Sequence, residues 1–431
     1  MKSFFKKILI AILQWEARAV LKRYNPKIVA ITGSVGKTST KDAVASVLGA
    51  AYRVRKSRKS YNSELGVPLT ILDRPSGWSN PLSWLGTLIK GACMIVVPFS
   101  YPEWLVLEVG ADRPGDIRSL TQWVKPDIAI VTRLGKTPVH IEAFDSREQL
   151  VDEKSQLVRS LKKGGVAILN YDDDEVRDFS RLSRGSVLYY GFHTQAHVSA
   201  SHVSVVYESR GGIELPAGIS VKANTNGSCV PIMLSGVLGR QHIYPVLAAV
   251  AAGVSRQLNL IVIAQALAEH TPPPGRMNLL PGIKNTCIID DTYNSSPVAS
   301  EEALSALKDL RVANRRIAVL GDMRELGEHS VEAHRSIGRK AADVCDVLFT
   351  VGPESREIAT GAKAAGMAEE VVVSFDDSRS AGKQLELLLE EGDTVLVKGS
   401  QATRCEKVVE EVMAEPMRAG ELLVRQEVEW R

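Results

Sequence analysis

The residues best suited to chemistry lie in one stretch, Val29-Ala30-Ile31-Thr32-Gly33-Ser34-Val35-Gly36-Lys37-Thr38-Ser39-Thr40. A short apolar run feeds a glycine-containing loop that ends in Gly-Lys-Thr, and a helix-like segment, Lys41 to Leu48, follows. Such a loop presents backbone N–H groups and a helix N-terminus to phosphate oxygens. Lys37 can reach terminal phosphates, and Thr38 can place its hydroxyl on a Mg²⁺ ion. The spacing departs from the usual G-x-x-x-x-G-K-[ST], because Ile31 stands where the first glycine belongs. The placement between a strand and a helix is what points to a nucleotide.

Further chemistry-bearing positions follow. Glu108 ends the apolar run Leu105-Val106-Leu107-Glu108, and ligands of open parallel sheets collect at such strand ends. Ile128–Thr132 is a neighbouring run of the same kind, with His140 in its exit loop, and Lys154 lies in the helical stretch Asp152 to Leu161. Hard oxygen ligands plus one imidazole suit Mg²⁺ or Mn²⁺ beside a triphosphate. Taken singly, Glu108 reads as a solvated strand end, His140 as a loop residue and Lys154 as a surface lysine. The four together favour an enzyme over a nucleotide-binding regulator.

These residues need a scaffold, and the chain supplies one. Its 431 residues suggest two or three domains. With 45% apolar and 24% charged residues it has the composition of a soluble globular protein, and a net charge of +3 implies no general affinity for nucleic acid. The five cysteines form no C-x-x-C pair, which argues against a zinc ribbon or disulfide framework and fits a reducing, cytoplasmic compartment. Strand-length apolar runs at Ile28–Thr32, Leu105–Val109, Ile128–Thr132, Val166–Asn170, Cys287–Asp290, Ile317–Leu320, Val347–Val351 and Thr394–Val397 alternate with helical stretches. The expected fold is therefore α/β: a P-loop-type parallel-sheet ATP-binding domain followed by a smaller Rossmann-like α/β domain. Residues 186–235 read as an antiparallel insertion or edge, and Thr271-Pro-Pro-Pro-Gly275 is a stiff boundary. The expected domains are a basic amphipathic N-terminal helix over 1–27, an ATP-binding domain over 28–275 and a C-terminal Rossmann-like α/β domain over 280–431.

Two apolar segments raise the question of a membrane. Residues 1–27 repeat apolar residues at helical spacing among lysines and arginines, but the unbroken run Ile8 to Leu13 is far short of a span. The segment reads either as a helix packed on the next domain or as an anchor on an anionic membrane surface through residues 1–25. Leu82 to Tyr101, with Trp78, Trp84 and Trp104 around it, is interrupted by Lys90 and Pro98 and reads as a buried or interfacial helix. The basic run Arg53, Arg55, Lys56, Arg58 and Lys59 reads either as a solvated loop or as a site for an acceptor's phosphates.

The ordered set of motifs resembles the Mur ligases, the ATP-dependent amide-forming family of peptidoglycan synthesis. The matching runs are Ile31–Thr40, Tyr61-Asn62-Ser-Glu-Leu-Gly66 with Pro68, Leu107-Glu108-Val-Gly110 with Pro114-Gly115, His140–Phe144, Asp290-Asp291-Thr-Tyr293-Asn294 with Pro297, Leu320-Gly-Asp322-Met-Arg-Glu325-Leu-Gly327, and Val397-Lys398-Gly399-Ser400. The Gly-Asp-Met-x-Glu-Leu-Gly run points to the member that adds D-alanyl-D-alanine to a muramoyl tripeptide.

The resemblance implies that Gly33, Ser34, Val35, Gly36, Lys37, Thr38 and Ser39 hold ATP phosphates. It implies two Mg²⁺ sites served by Thr38, Glu108, His140 and Lys154, the last as a carbamylated lysine. Lys37, Glu108, His140 and Lys154 would carry catalysis. Arg276 and Asp291 would contact the nucleotide, and Asn62, Tyr293, Asn294, Asp322, Glu325 and Lys398 the muramoyl-peptide acceptor or the D-alanyl-D-alanine donor. The reaction would run through an acyl phosphate, with domains closing over ATP. The sequence departs from the family pattern in three places: 27 residues precede the ATP strand where the family has a uridine-diphosphate sugar domain, His242 and Pro245 stand in a usually asparagine-rich stretch, and Ser296 precedes Pro297 where an asparagine is usual. A related ligase with another acceptor stays open on these grounds.

Overall fold

The computed structural model describes residues 2–58, 61–77, 80–135 and 143–426. Trp78, Lys59 and His140 lie outside the described residues. The chain divides into two compact units: Met1–His202 with Val221–Ile232 and Gln241–His270, and Thr271–Arg431 with Val203–Ser220 and Met233–Arg240. The division therefore takes in two earlier segments besides the proline-rich stretch at 271–275.

The first sheet contains β1 (Lys27–Thr32), β2 (Val54–Lys56), β3 (Trp104–Glu108), β4 (Ile128–Val131), β5 (Val166–Asn170), β6 (Ser186–Gly191), β7 (Val198–Arg210), β8 (Ile213–Thr225) and β9 (Ser228–Ser235). Their order is β2-β3-β1-β4-β5-β6-β7-β8-β9. Strands β3, β4 and β5 are buried along their whole length, as continuous apolar runs demand when both sheet faces are covered. The six strands β2 to β6 with β1 pair in parallel. Ser186–Gly191 is thus a correction to the expected antiparallel insertion: it pairs with β5 in parallel and extends the nucleotide-type sheet. The hairpin character begins at β7, where Gly211-Gly212, both at positive φ, form a two-residue connection to β8.

Six helices of this unit concern the site and its flank: α1 (Lys2–Tyr24), α2 (Lys37–Gly49), α3 (Gly66–Ile71), α4 (Pro81–Val96), α5 (Asp116–Thr121) and α6 (Arg147–Arg159). Helix α4 starts with Pro81 at its first turn and Asn80 as cap, whose Oδ1 accepts the N–H of Leu82 at 3.0 Å and of Ser83 at 3.3 Å. Helix α1 puts Leu13, Ala17 and Val20, all at 0% exposure and spaced i, i+4, i+7, into the core with Ile71, Leu105 and Leu107. The packed-helix reading of residues 1–27 therefore holds for this face. Its register is set by Tyr24, whose hydroxyl donates to Met94 O at 3.1 Å and accepts the Phe99 N–H at 3.1 Å, and by Arg23, which donates to Ile95 O at 2.5 Å.

The second sheet contains β10 (Asn278–Gly282), β11 (Thr286–Asp291), β12 (Arg316–Gly321), β13 (Val347–Val351), β14 (Val372–Phe375) and β15 (Thr394–Lys398), in the order β10-β11-β15-β12-β13-β14. Only β10 is antiparallel, and it lies at an edge. In each sheet a strand is entered by chain reversal at its centre, β1 between β3 and β4 and β15 between β11 and β12, and such switch points open crevices at the strands' C-terminal ends.

Truncating Leu13 to Ala should cost about 2–4 kcal/mol, because a fully buried leucine leaves a cavity on which α1 and the sheet cannot both close. Urea unfolding of the wild type and L13A gives the difference directly. A midpoint unchanged within error would show that α1 is not docked through this face.

Candidate active site

The loop between β1 and α2 is built around Gly33. Its φ is +145°, and a Cβ there would stand 1.9 Å from Thr132 Oγ1 at the end of β4. Thr132 uses that close approach: its hydroxyl donates to Val35 O at 2.7 Å and to Thr32 O at 3.2 Å. The Ser34 N–H donates to Arg133 O at 2.8 Å, so the loop is stitched to β4's exit on both sides. Gly36, at φ +82°, then turns the chain into α2, leaving the first amides of that helix facing the loop.

Two lysines share one acceptor here. Lys37 Nζ donates to Gly33 O at 2.9 Å and to Ser34 O at 3.3 Å, and Lys154 Nζ, from α6, donates to Gly33 O at 2.9 Å. Lys154 is only 5% exposed, which removes the surface-lysine reading. Burial, followed by repulsion from Lys37, lowers its pKa to about 7, against a smaller opposing pull from Asp112. Its neighbour Glu153, 5% exposed, accepts the N–H groups of Ile117 at 2.7 Å and Arg118 at 2.9 Å in α5, which ties α6 in place.

Glu108 is buried at 1% exposure at the end of β3, so the solvated-strand-end reading also falls. Its Oε2 accepts the Thr38 hydroxyl at 2.9 Å and its Oε1 accepts Asn62 Nδ2 at 3.1 Å, while its N–H donates to Ser57 Oγ at 3.3 Å. Asn62 is itself held by Gly110, whose N–H donates to Asn62 O at 2.8 Å and whose missing side chain leaves room for the amide. The structure thus gives Asn62 a positioning contact with Glu108. Among the described residues no three His, Cys, Asp or Glu side chains gather as metal ligands. The pair Thr38–Glu108 does offer two adjacent hard oxygens beside the phosphate loop, and Mg²⁺ commonly takes one or two protein oxygens plus phosphates and water.

The second unit gathers a separate set at the C-terminal ends of β11 and β15. Lys398 Nζ contacts Asp291 Oδ2 at 2.6 Å and Asn294 O at 2.9 Å, and Asp291 Oδ1 accepts the Met277 N–H at 3.2 Å. The Arg276 guanidinium lies 4.1 Å from the centre of the Tyr293 ring. Arg276, Asp291, Tyr293, Asn294 and Lys398 therefore come together. Asp322, at the end of β12, is turned elsewhere: its Oδ1 accepts the Ser355 N–H at 2.8 Å and its Oδ2 pairs with Arg324 at 3.1 Å. Burial raises its pKa. Glu325 is exposed, in a left-handed turn at φ +66°.

Sequence reasoning missed Ser57, Thr132, Glu153 and Arg425. Arg425, from the C-terminal segment, donates to Thr292 O at 3.0 Å and to Tyr293 O and pairs with Glu406 at 3.0 Å, fixing the loop that carries Tyr293. The basic run proves to be internally paired: Lys56 with Asp42 at 2.7 Å, Arg58 with Asp73 at 3.0 Å, Arg53 with Glu103 at 3.7 Å, and Arg55 with Ile71 O at 2.8 Å. These partners favour a structural role over a phosphate site.

The loop, the buried carboxylate beside it and the second α/β unit define a nucleotide-dependent ligase class, and comparison with known proteins agrees. The Mur ligase middle domain profile matches residues 31–81 and 92–253, and the Mur ligase, glutamate ligase domain profile matches 275–401. The UDP-N-acetylmuramoyl-tripeptide–D-alanyl-D-alanine ligase of Mycobacterium leprae is 31% identical over 87% of this chain and 71% of its own length, and that of Bacillus subtilis is 27% identical over 94% and 80%. The crystal structure of MurF ligase from Thermotoga maritima in complex with ADP superposes with a TM-score of 0.73 at 27% identity, covering 94% of this chain and 83% of that one. MurF from Acinetobacter baumannii, at 23% identity, shares the fold with a TM-score of 0.76 over 95% of this chain and 80% of that one. The chain belongs to the Mur ligase family.

Substituting Gly33 with alanine places a methyl group on the Thr132 hydroxyl in a backbone region that alanine avoids. G33A should weaken ATP binding at least tenfold and destabilise the chain by about 1–3 kcal/mol. Calorimetric titration with ATP and thermal melting measure the two effects, and an unaltered Kd would exclude this loop as the phosphate cradle.

Proposed function

We propose that the chain is an ATP-dependent peptide ligase that joins a UDP-N-acetylmuramoyl tripeptide to D-alanyl-D-alanine in cytoplasmic peptidoglycan precursor synthesis. The observation that carries this reading is the contact of Thr38 with the buried Glu108, held by Asn62 next to the Lys37 loop, in a chain similar over most of its length to ligases named for that reaction. Residues 28–275 would supply the ATP site and 280–431 the ligase domain.

The loop amides and Lys37 offset the negative charge of the transferring γ-phosphoryl group. Thr38 and Glu108 would hold one Mg²⁺, which neutralises charge on the phosphate oxygens; His140 and Lys154 fall to a second. A terminal carboxylate oxygen of the tripeptide attacks the γ-phosphorus and ADP leaves. The donor amine then attacks the acyl carbon, phosphate leaves, and the amine's proton is lost to solvent. The Asp291–Lys398 pair and the Arg276–Tyr293 stack present polar groups suited to the nucleotide and the amine donor. A peripheral membrane contact through residues 1–25 is compatible with this cytoplasmic placement and independent of the ligation chemistry.

Release of ADP that requires both the muramoyl tripeptide and D-alanyl-D-alanine tests the reading. It should fall at least a hundredfold in Lys37→Ala, with the melting temperature retained. Release with a different acceptor or amine, and none with this pair, would replace the assigned substrates.

Lys154 is poised for carbamylation because a neutral amine, not an ammonium, attacks CO₂. With its pKa lowered to about 7, the neutral fraction grows as pH rises through 7, so carbamate-dependent activity should climb from pH 6 to 8 at fixed dissolved CO₂. Lys154→Ala should be nearly inactive and partly restored by formate or acetate. Full activity of the alanine variant would refute the role.

A further inference from the structure

Helix α1 docks through one face and leaves another open. Ile8, Ile12 and Trp15, spaced i, i+4, i+7, are 41%, 39% and 63% exposed. Glu16 faces α4, where its carboxylate lies so close to Gly91 that a Cβ there would stand 2.1 Å from Oε2. Ile12, one turn before Glu16, and Ile8, one turn further, therefore adjoin α4. On α4 itself, Leu82, Leu85, Ile89 and Val96 lie on one outer face and are 77%, 53%, 55% and 75% exposed, while Thr87, Gly91 and Met94 face inward. Helices α1 and α4 pack on each other, and their outer faces together expose seven large apolar side chains, more than the scattered apolar residues normal for a soluble protein.

The charge around it is one-sided. Lys6, Lys7, Arg18, Lys22 and Arg23 are exposed on α1 and Lys90 is half-buried on α4, whereas the only acidic residue of either helix is the buried Glu16. A second copy would bring those cations face to face with themselves, because a two-fold interface repeats the same patch. An anionic lipid surface complements both the apolar face and the cations. Among the described residues no helix is long and apolar enough to cross a membrane, and the 16 residues of α4 reach only about 24 Å. Trp15 suits the interfacial depth, with its apolar ring and polar N–H.

We infer that the joined outer faces of α1 and α4 form a docking surface for an anionic membrane. This deepens the peripheral contact assigned above to residues 1–25 by adding α4, and it rests on no part of the ligation chemistry. The surface binds by burying Ile8, Ile12, Leu85 and Ile89 at the acyl boundary while the lysines meet lipid phosphates.

Co-sedimentation of the full chain with phosphatidylcholine vesicles, with and without about one-third phosphatidylglycerol, tests it. The chain should pellet with the anionic vesicles, bind pure phosphatidylcholine at least tenfold more weakly, and be released by high salt. Leu85→Glu/Ile89→Glu, at two half-exposed positions, should weaken vesicle binding at least tenfold while the circular-dichroism melt and ADP release with soluble substrates stay unchanged. Absence of binding to anionic vesicles, or binding by the double variant as tight as by the wild type, overturns the inference while leaving the ligase reading standing. A wild-type dimer that the double variant dissociates, with no vesicle binding, overturns it in favour of a second copy of this chain.

Discussion

The carbonyl of Gly33 accepts two lysine side chains, from α2 and from α6, and the α-carbon beside it touches the Thr132 hydroxyl at the end of β4. Three elements thus meet at one peptide group. The loop conformation, the placement of Lys37 and the burial of Lys154 all follow from that convergence. It also explains why glycine stands there, since any Cβ would occupy the space that the threonine hydroxyl needs.

Burial then sets the electrostatics. Lys154 is kept from water by the same packing that aims it at the loop, and Lys37 beside it disfavours a second positive charge, so its amine is easily neutralised. Glu108 is handled differently. It is equally buried, but the Thr38 hydroxyl and the Asn62 amide each meet one of its two oxygens. The second unit relies on a direct ion pair, Lys398 with Asp291, and on Arg425 to hold the following loop.

The flank of the first unit shows how one helix can satisfy two demands. Leu13, Ala17 and Val20 close the core, and the opposite stripe of α1, Ile8, Ile12 and Trp15, is apolar and exposed. Of the two readings of the N-terminal segment that compete at the level of sequence, the packed helix describes the Leu13 face, and the surface helix is what we propose for the exposed face. The basic run at 53–58 had the opposite fate. Its members pair with Asp42, Asp73, Glu103 and a carbonyl, so charges that are consecutive in sequence are largely matched by partners in the fold.

Much of the fold was legible because its determinants are local. Apolar runs of strand length, the Gly33 and Gly36 positions and the Gly-Lys-Thr order specify a strand, a tight loop and a helix start within a dozen residues, and the observed strands match those runs to within a residue or two. Ser186–Gly191 was harder to read, because a short alternating strand takes its pairing partner from the neighbouring β5 rather than from its own pattern. The site divides in the same way. The order Gly-Lys-Thr at 36–38 suggests phosphate chemistry from the sequence, whereas Glu108 taken alone reads as a solvated strand end. That Asn62 holds Glu108 across 46 positions, that Lys154 reaches Gly33 across 121, and that Asp322 turns to Ser355 instead of an open crevice were decided only by tertiary structure. Contacts at such separations depend on strand order and on which side chains lose their water, and neither is a property of a local stretch of chain.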